Sequence, residues 1–368
     1  MSANPSLLFP SEIILAGRQS GRLVIGLLVP LSGIMGAIGP STVNCAQLAA
    51  EEASSRGNGR LVDLLLIDAG RTRAEVEREI SALVSSGLVD GIVGCHTSDI
   101  RASVVRAVNA RVPYVFTPPR EFERIGSRSS YLLGPAPDCQ LAASLRWFHE
   151  YQHIRRWALI GSDYVWPRHV HRAARAILGD FGLEVTYERT VRFGDVDAES
   201  IIHQMQNTRS QGLIVSLVGR DAVEFHRQFA AHGRASSIPR LCTSFDEDSL
   251  LAVGGDSTGA LFAAMPSFLT DGDERHQKLL AAYENRFGAF APSLGAYSES
   301  VYDGVHLMSS LRMARNGDQP SLIPLANGMV RRRDDMWQSS PLGAPGRAMT
   351  LGQANGTAMN VVQRFALA

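Results

Sequence analysis

The chain has 368 residues, with 36 basic and 36 acidic side chains, so its formal net charge at neutral pH is zero. That balance offers no basic footprint for nucleic acid or an anionic membrane surface. No run of about 18 apolar residues marks a membrane-spanning helix. The length is enough for two domains, each with its own core.

Residues 1–20 hold no Lys or Arg before Arg18, and Pro10, Ser11 and Glu12 split their apolar stretch. A secretory signal needs a positive start and an unbroken apolar segment. This stretch therefore reads as a short extension without export function, and the chain as cytoplasmic. A periplasmic setting is the alternative if a signal peptide precedes it.

From residue 22 strands and helices alternate. LVIGLLVP (23–30) is a continuous apolar run, the pattern of a strand covered on both faces. A glycine-bearing loop (31–40) leads to a helix running through Glu52, and LVDLLLID (61–68) is the next strand. Over 71–86, Val76, Ile80, Leu83 and Val84 stand at i, i+4, i+7 and i+8, the spacing of an amphipathic helix. GIVGC (91–95), a helix over 99–109 and VPYVF (112–116) continue the series. Such βαβ repetition predicts a parallel sheet with right-handed crossovers.

A second series follows, with strands at 157–162, 183–193, 212–219, 239–244 and 259–266 and helices between them. Two long helices are predicted over 271–286 and 295–315, then a further helix over 320–328. MVRRRDD (329–335) reads as a charged turn, and RAMTLG followed by NGTAMNVVQRF as a β-hairpin. The four cysteines, at 45, 95, 139 and 242, are widely spaced without C-x-x-C and read as buried, reduced thiols.

HEYQH (149–153) matches H-E-x-x-H, in which two histidines one helical turn apart bind zinc. Strand character begins directly after His153, however, so the second histidine falls at a helix end where it cannot be held rigidly. His169 and His171 read as a solvated helix start, since alternate residues point in different directions on a helix. A nucleophile elbow, a Walker A loop and a G-x-G-x-x-G fingerprint are missing. The reading is therefore a binding protein and not an enzyme, with no metal and no cofactor.

Four motifs stand just after predicted strands: GCHTSD (94–99), FTPP (116–119), LGPAPD (133–138) and GSDYVWPR (161–168). In open α/β sheets ligands bind at the carboxyl ends of the strands. Ser98 reads either as part of a helix cap or as a hydroxyl that meets a ligand oxygen beside free helix N–H groups. Thr117 precedes Pro118 and Pro119, which stiffen the loop. Tyr164 and Trp166 supply aromatic surface.

These residues resemble the type I periplasmic-binding-protein superfamily, in its branched-chain amino acid, amide and urea binding group. Within it they are most similar to cytoplasmic amide sensors that negatively regulate aliphatic amidase operons. The resemblance rests on IGLL, VGC-x-x-S (93–98), TP (117–118), GPAP (134–137) and GSDY-x-x-PR (161–168), and extends over nearly all the chain from Arg22. It implies an α/β fold of two doubly wound parallel-sheet domains joined by a three-segment hinge near 118–135, 245–260 and 325–345. The first lobe would comprise 21–120 and 260–330, and the second 121–259 and 331–368.

The resemblance implies that Ser98 and Thr117 hold the polar head of a small amide, urea or amino-acid-like ligand. Tyr164 would close on it by hinge motion. His96 would form an aromatic wall with Thr97 and Pro118 beside it, and Val218, Gly219, Thr243 and Asp246 would form the far wall. Arg120 stands where the family has a different pattern, and so either pairs with an acidic ligand or faces solvent. The implied partner is a regulatory antiterminator protein. A solute-binding role in an ABC importer is the alternative, and homo-oligomerisation stays open.

Overall fold

Two separate sheets organise the chain, each in its own unit. The computed structural model describes residues 5–56, 60–121, 129–233, 235–313 and 349–365, with strand segments 322–325, 328–333 and 336–339. The first unit takes 1–118, 123–134 and 274–346; the second takes 119–122, 135–273 and 347–368.

In chain order the first unit begins with β1 (Leu7–Leu8), α1 (Pro10–Ala16), β2 (Leu23–Val29), α2 (Gly39–Arg56) and β3 (Val62–Asp68). It continues with α3 (Arg73–Ser85), β4 (Gly91–Gly94), α4 (Ser98–Val108), β5 (Tyr114–Phe116) and β6 (Ser130–Leu132). β1 through β6 lie parallel in the order β1-β3-β2-β4-β5-β6. Every residue of β2 is buried, as its unbroken apolar run requires. On α3 the four residues of the predicted stripe, Val76, Ile80, Leu83 and Val84, are the buried ones.

The second unit carries α5 (Pro137–Gln152), β7 (Arg156–Ser162), α6 (Val165–Asp180), β8 (Glu184–Val191) and α7 (Ala198–Asn207). Then come β9 (Gly212–Ser216), α8 (Gly219–Ala231), β10 (Arg240–Cys242), α9 (Glu247–Val253) and β11 (Leu261–Met265). The chain returns to the first unit for α10 (Glu274–Phe287), α11 (Ala296–Met313), β12 (Leu322–Leu325), β13 (Gly328–Arg333) and β14 (Met336–Ser339). It ends in the second unit with β15 (Met349–Asn355) and β16 (Ala358–Phe365), an antiparallel hairpin.

Four expectations are corrected. The amino-terminal stretch is part of the first unit, because β1 pairs with β3 and Ile13 of α1 is buried. Residues 320–328 and 329–335 contain strands, β12 and β13, which extend the first sheet through β14 onto β6. β11 belongs to the second lobe and not the first, since it pairs with β10 and β15. The second passage between units accordingly falls at 273/274 instead of near 245–260, and the third lies outside the described residues. The sheets are parallel at their centres and mixed at one edge each, where β13, β12, β15 and β16 run antiparallel to their neighbours. All four cysteines are free thiols, three buried and Cys139 half-buried.

The second core encloses an ion pair with no exposed surface. Arg240 Nη2 lies 2.9 Å from Asp256 Oδ2 and 2.7 Å from Thr258 Oγ1, and its guanidinium stacks 4.8 Å from the Phe229 ring centre. Burying both charges is costly, and removing one partner leaves the other uncompensated. Asp256→Ala is expected to destabilise the protein by about 3–5 kcal/mol, read as a fall in the denaturant midpoint. A loss below about 1 kcal/mol would show that Arg240 finds another partner.

Candidate ligand-binding site

In the first unit the loops at the carboxyl ends of β2, β4 and β5 carry the candidate groups. Asp68, ending β3, accepts from the Leu31 and Ser32 amides at 3.0 and 3.2 Å, from Ser32 Oγ at 2.6 Å and from the Gly70 amide at 2.8 Å. Burial pushes this carboxyl up, but the Ser32 hydroxyl and the three amides together hold it below its ordinary value. The loop after β2 is thereby fixed. A Cβ on Gly70 would stand 2.1 Å from the Ser32 carbonyl oxygen, so only glycine allows this approach.

Ser98 opens α4. Its backbone cap, Thr97, is extended and gives no side-chain hydrogen bond to the helix. The first-turn amides therefore lack the side-chain acceptor that a capping residue normally supplies. The Ser98 hydroxyl is buried with no hydrogen-bond partner. A buried hydroxyl without a partner costs free energy that a bound oxygen or amide would recover. Thr117, buried after β5, donates its amide to Gly94 O at 2.9 Å and its hydroxyl to the same oxygen at 3.3 Å. Its methyl faces α11, where a Cβ on Gly304 would come within 2.7 Å. Pro118 is buried beside it.

His96 is placed differently from the ligand wall expected of it. Its ring lies in the first unit's interior, stacked on Tyr114 at 6.2 Å and tilted against Phe116 at 5.2 Å. Nδ1 is 2.8 Å from Thr97 O and Nε2 is 2.8 Å from Tyr114 Oη. The network assigns the proton to Nδ1, with the tyrosine donating to Nε2. Burial pushes the imidazole down to about 4, so it is neutral at physiological pH.

The second unit gathers its own polar group at strand ends. The Ser162 hydroxyl ending β7, Thr243 Oγ1 after β10 and Asp246 Oδ2 are all buried without hydrogen-bond partners. Asp246 caps α9 with its other oxygen, 3.3 Å from the Ser249 amide and 3.1 Å from its hydroxyl. Desolvation raises the Asp246 carboxyl above its ordinary range. Gln140 of α5 anchors this end, its amide nitrogen donating to Thr243 O at 2.8 Å and Ala264 O at 3.0 Å.

Tyr164 caps α6 by its backbone and sets its ring 5.5 Å from Phe193, while the neighbouring Trp166 is buried with its indole nitrogen unpartnered. Val218 and Gly219 form the start of α8, where Gly219 takes φ +53°. Arg120, in the second unit, is half-buried, with its amide on Pro135 O and Nη1 3.4 Å from Glu121 O.

Thus Ser98, Thr97, Thr117 and Pro118 come together in the first unit, and Tyr164, Val218, Gly219, Thr243 and Asp246 stand at strand ends in the second. Sequence reasoning missed Ser162 and Gln140. GSDY carried a usable signal for the former, while Gln140, in the first turn of α5, has none. His169 and His171 are buried rather than solvated, and His171 Nδ1 is 3.0 Å from Glu188. His153 ends α5 in a left-handed conformation at φ 55°, past the helical face that H-E-x-x-H requires. Among the described residues no His/Cys/Asp/Glu group could hold a metal, and no helix is long and apolar enough to cross a membrane.

A family model described as periplasmic binding protein matches residues 23–363. Solved structures share the fold at low identity. An ABC transporter substrate-binding protein from Sphaerobacter thermophilus is 18% identical, with 94% of this chain and 98% of that one covered and a TM-score of 0.76. The branched-chain amino acid transporter substrate binding protein LivJ from Streptococcus pneumoniae, in complex with isoleucine, is 17% identical, covering 94% and 99% with a TM-score of 0.76. A solute binding protein of an ABC transporter from Rhodopseudomonas palustris, in complex with p-hydroxybenzoic acid, is 14% identical, covering 94% and 97% with a TM-score of 0.78. These matches are to substrate-binding proteins, not enzymes.

The buried His96 makes acid stability testable. Its folded value lies below the ordinary 6.5, so the unfolded chain takes up the proton first as pH falls. The stability it permits is whole above about 6.5 and is lost toward about 4, by about 3 kcal/mol. Urea midpoints measured across that window should fall less steeply in His96→Gln, whose amide can still accept from Tyr114. An acid limb of equal slope in the variant would assign the titration to another group.

Proposed function

The chain belongs to the periplasmic binding protein family, and on that footing we propose that it is the solute-binding component of an ABC importer for an amino-acid-like or small organic-acid ligand. The observation that carries this reading is the set of buried, unpartnered polar atoms at strand carboxyl ends: Ser98 Oγ, Ser162 Oγ, Thr243 Oγ1 and Asp246 Oδ2. Parallel α/β sheets bind ligands at this end, and a native fold keeps such atoms unpaired only where something else satisfies them. The isoleucine and p-hydroxybenzoate held by the two neighbours support a ligand of that size and polarity.

Recognition would proceed in two stages. The first unit supplies the Ser98 hydroxyl and the uncapped first turn of α4, both suited to an oxyanion or carbonyl. It also supplies the Thr117 hydroxyl oxygen, which gives its proton to Gly94 O and so accepts from a ligand donor. The second supplies an acceptor, Asp246, with Thr243 and Ser162, suited to a donor such as an amine or amide. A state that offers both sets binds more tightly than one that offers the first alone, and that difference is what drives closure by hinge motion.

A second reading, the cytoplasmic amide sensor that acts through an antiterminator, is favoured by one observation. The residues of its motif set, VGC-x-x-S, TP and GSDY-x-x-PR, stand at strand ends as that reading needs. The two readings part on partner binding: only a sensor would release an RNA-binding protein when ligand is added.

Thermal-shift screening against amides, ureas, amino acids and small carboxylic acids should find a stabilising ligand. Ser98→Ala and Thr117→Val are each expected to weaken it about tenfold, the value of one hydrogen bond of about 1.4 kcal/mol. Thr117→Val retains the methyl that faces Gly304, so its fold is preserved. Normal binding by both variants would overturn the site.

A further inference from the structure

The second unit holds a cleft at the opposite end of its sheet. Its volume is about 620 Å³, and it is formed by the segments leading into β7, β9 and β10. These strands are adjacent in the order β10-β9-β7, so their lead-in loops run side by side. Arg155 and Arg156 donate their amides to Gln211 Oε1 at 2.8 and 3.1 Å, which ties the first two loops together. The volume lies in the range of small-molecule sites.

The floor is apolar, with Ile154, Met205 and Ile238 buried. The rim is polar and carries no carboxylate; its charged or titratable groups are Arg209 and His153. Neither of those side chains has a hydrogen-bond or ion-pair partner among the described residues. Both residues occupy the left-handed region, at φ 52° and φ 55°. Helix ends of this kind favour glycine, and a side chain there costs about 1 kcal/mol. At this cleft the chain accepts that cost twice, and each time the result is a nitrogen-bearing side chain on the rim.

The local electrostatics suit an anion. Both α5 and α7 end at the cleft, and bare helix-end carbonyls would repel one. At the α7 end Arg156 removes that obstacle, because its Nη2 and Nε donate to Thr208 O at 2.8 Å and Arg209 O at 3.2 Å. Arg209 is left to pair with something else, and a planar guanidinium matches carboxylate and phosphate oxygens in bidentate fashion. We propose that this cleft is a second binding site, for a small organic oxyanion carried on an apolar body, with Arg209 as its anchor and His153 beside it. The proposal is independent of the ligand reading given above, since it uses none of the same residues.

The test uses the full chain, with amide chemical shifts followed while phenyl phosphate or phenylacetate is added. Two arms distinguish phosphate from carboxylate as the preferred head group, and phenol controls for the apolar body alone. Saturating shifts are expected at residues 152–154, 205–211 and 236–239 with at least one anion, weakened about tenfold in Arg209→Gln. His153→Gly should weaken binding while leaving the thermal midpoint unchanged or higher, which a merely structural histidine would not do. The proposal is overturned by shifts that do not saturate, that persist undiminished in Arg209→Gln, that phenol reproduces, or that fall instead on Ser98, Thr117 or Thr243.

Discussion

A parallel strand can be entered only from the end at which its predecessor was entered, so each strand must be followed by a return element that crosses the whole sheet. This constraint decides where polarity can collect. With both faces covered by helices, the backbone between elements emerges only at the two ends of the sheet, and the carboxyl end also receives the amino termini of the next helices. Donors, hydroxyls and capping carboxylates therefore accumulate at one end without any strand giving up its apolar character. β2 is buried throughout, yet two residues beyond it Leu31 and Ser32 are held by Asp68. The same logic operates in the second unit, where β7, β9 and β10 are buried to their last residues and Ser162, Val218 and Thr243 follow or end them.

The central elements were legible because their signals are short-range. The apolar run of β2, the 3.6-residue stripe of α3 and the alternation through β5 each lie within one element, and the structure places them within a residue or two of the expectation. What sequence could not reveal was decided by pairing partners far along the chain. β11 looks like any buried strand, and only its register against β10 and the β15 hairpin assigns it to the second unit. β12 and β13 lack strong strand signals, since Pro324 interrupts one and three arginines crowd the other. β12 is the edge strand of the sheet, a position that tolerates the proline.

The candidate site was legible in part for a similar reason. Ser98 and Thr117 are marked by motifs because the loop itself must take a particular shape. His96 misled because an aromatic residue in such a motif reads as pocket wall, whereas here its two nitrogens are consumed by Thr97 and Tyr114. Whether a side chain turns toward the loop or back into the core depends on a partner 18 residues away, and no local pattern encodes that choice. His171 follows the same rule, since burial beside Glu188 of the neighbouring strand overrides its polar character.

The amino-terminal segment has a consequence for how the first sheet ends. β1 is only two residues long, and Pro10 stands two positions after it, at the start of α1. Inside it lies β3, seven residues of which six are buried, including three consecutive leucines. A strand of that composition with a free edge would be a template for pairing with other chains. A strip of two residues, closed off by a proline that cannot donate to a ladder and by a helix turning away, makes a poor template. The short segment thus works as a selvedge, finishing the sheet so that it does not grow by recruiting another molecule.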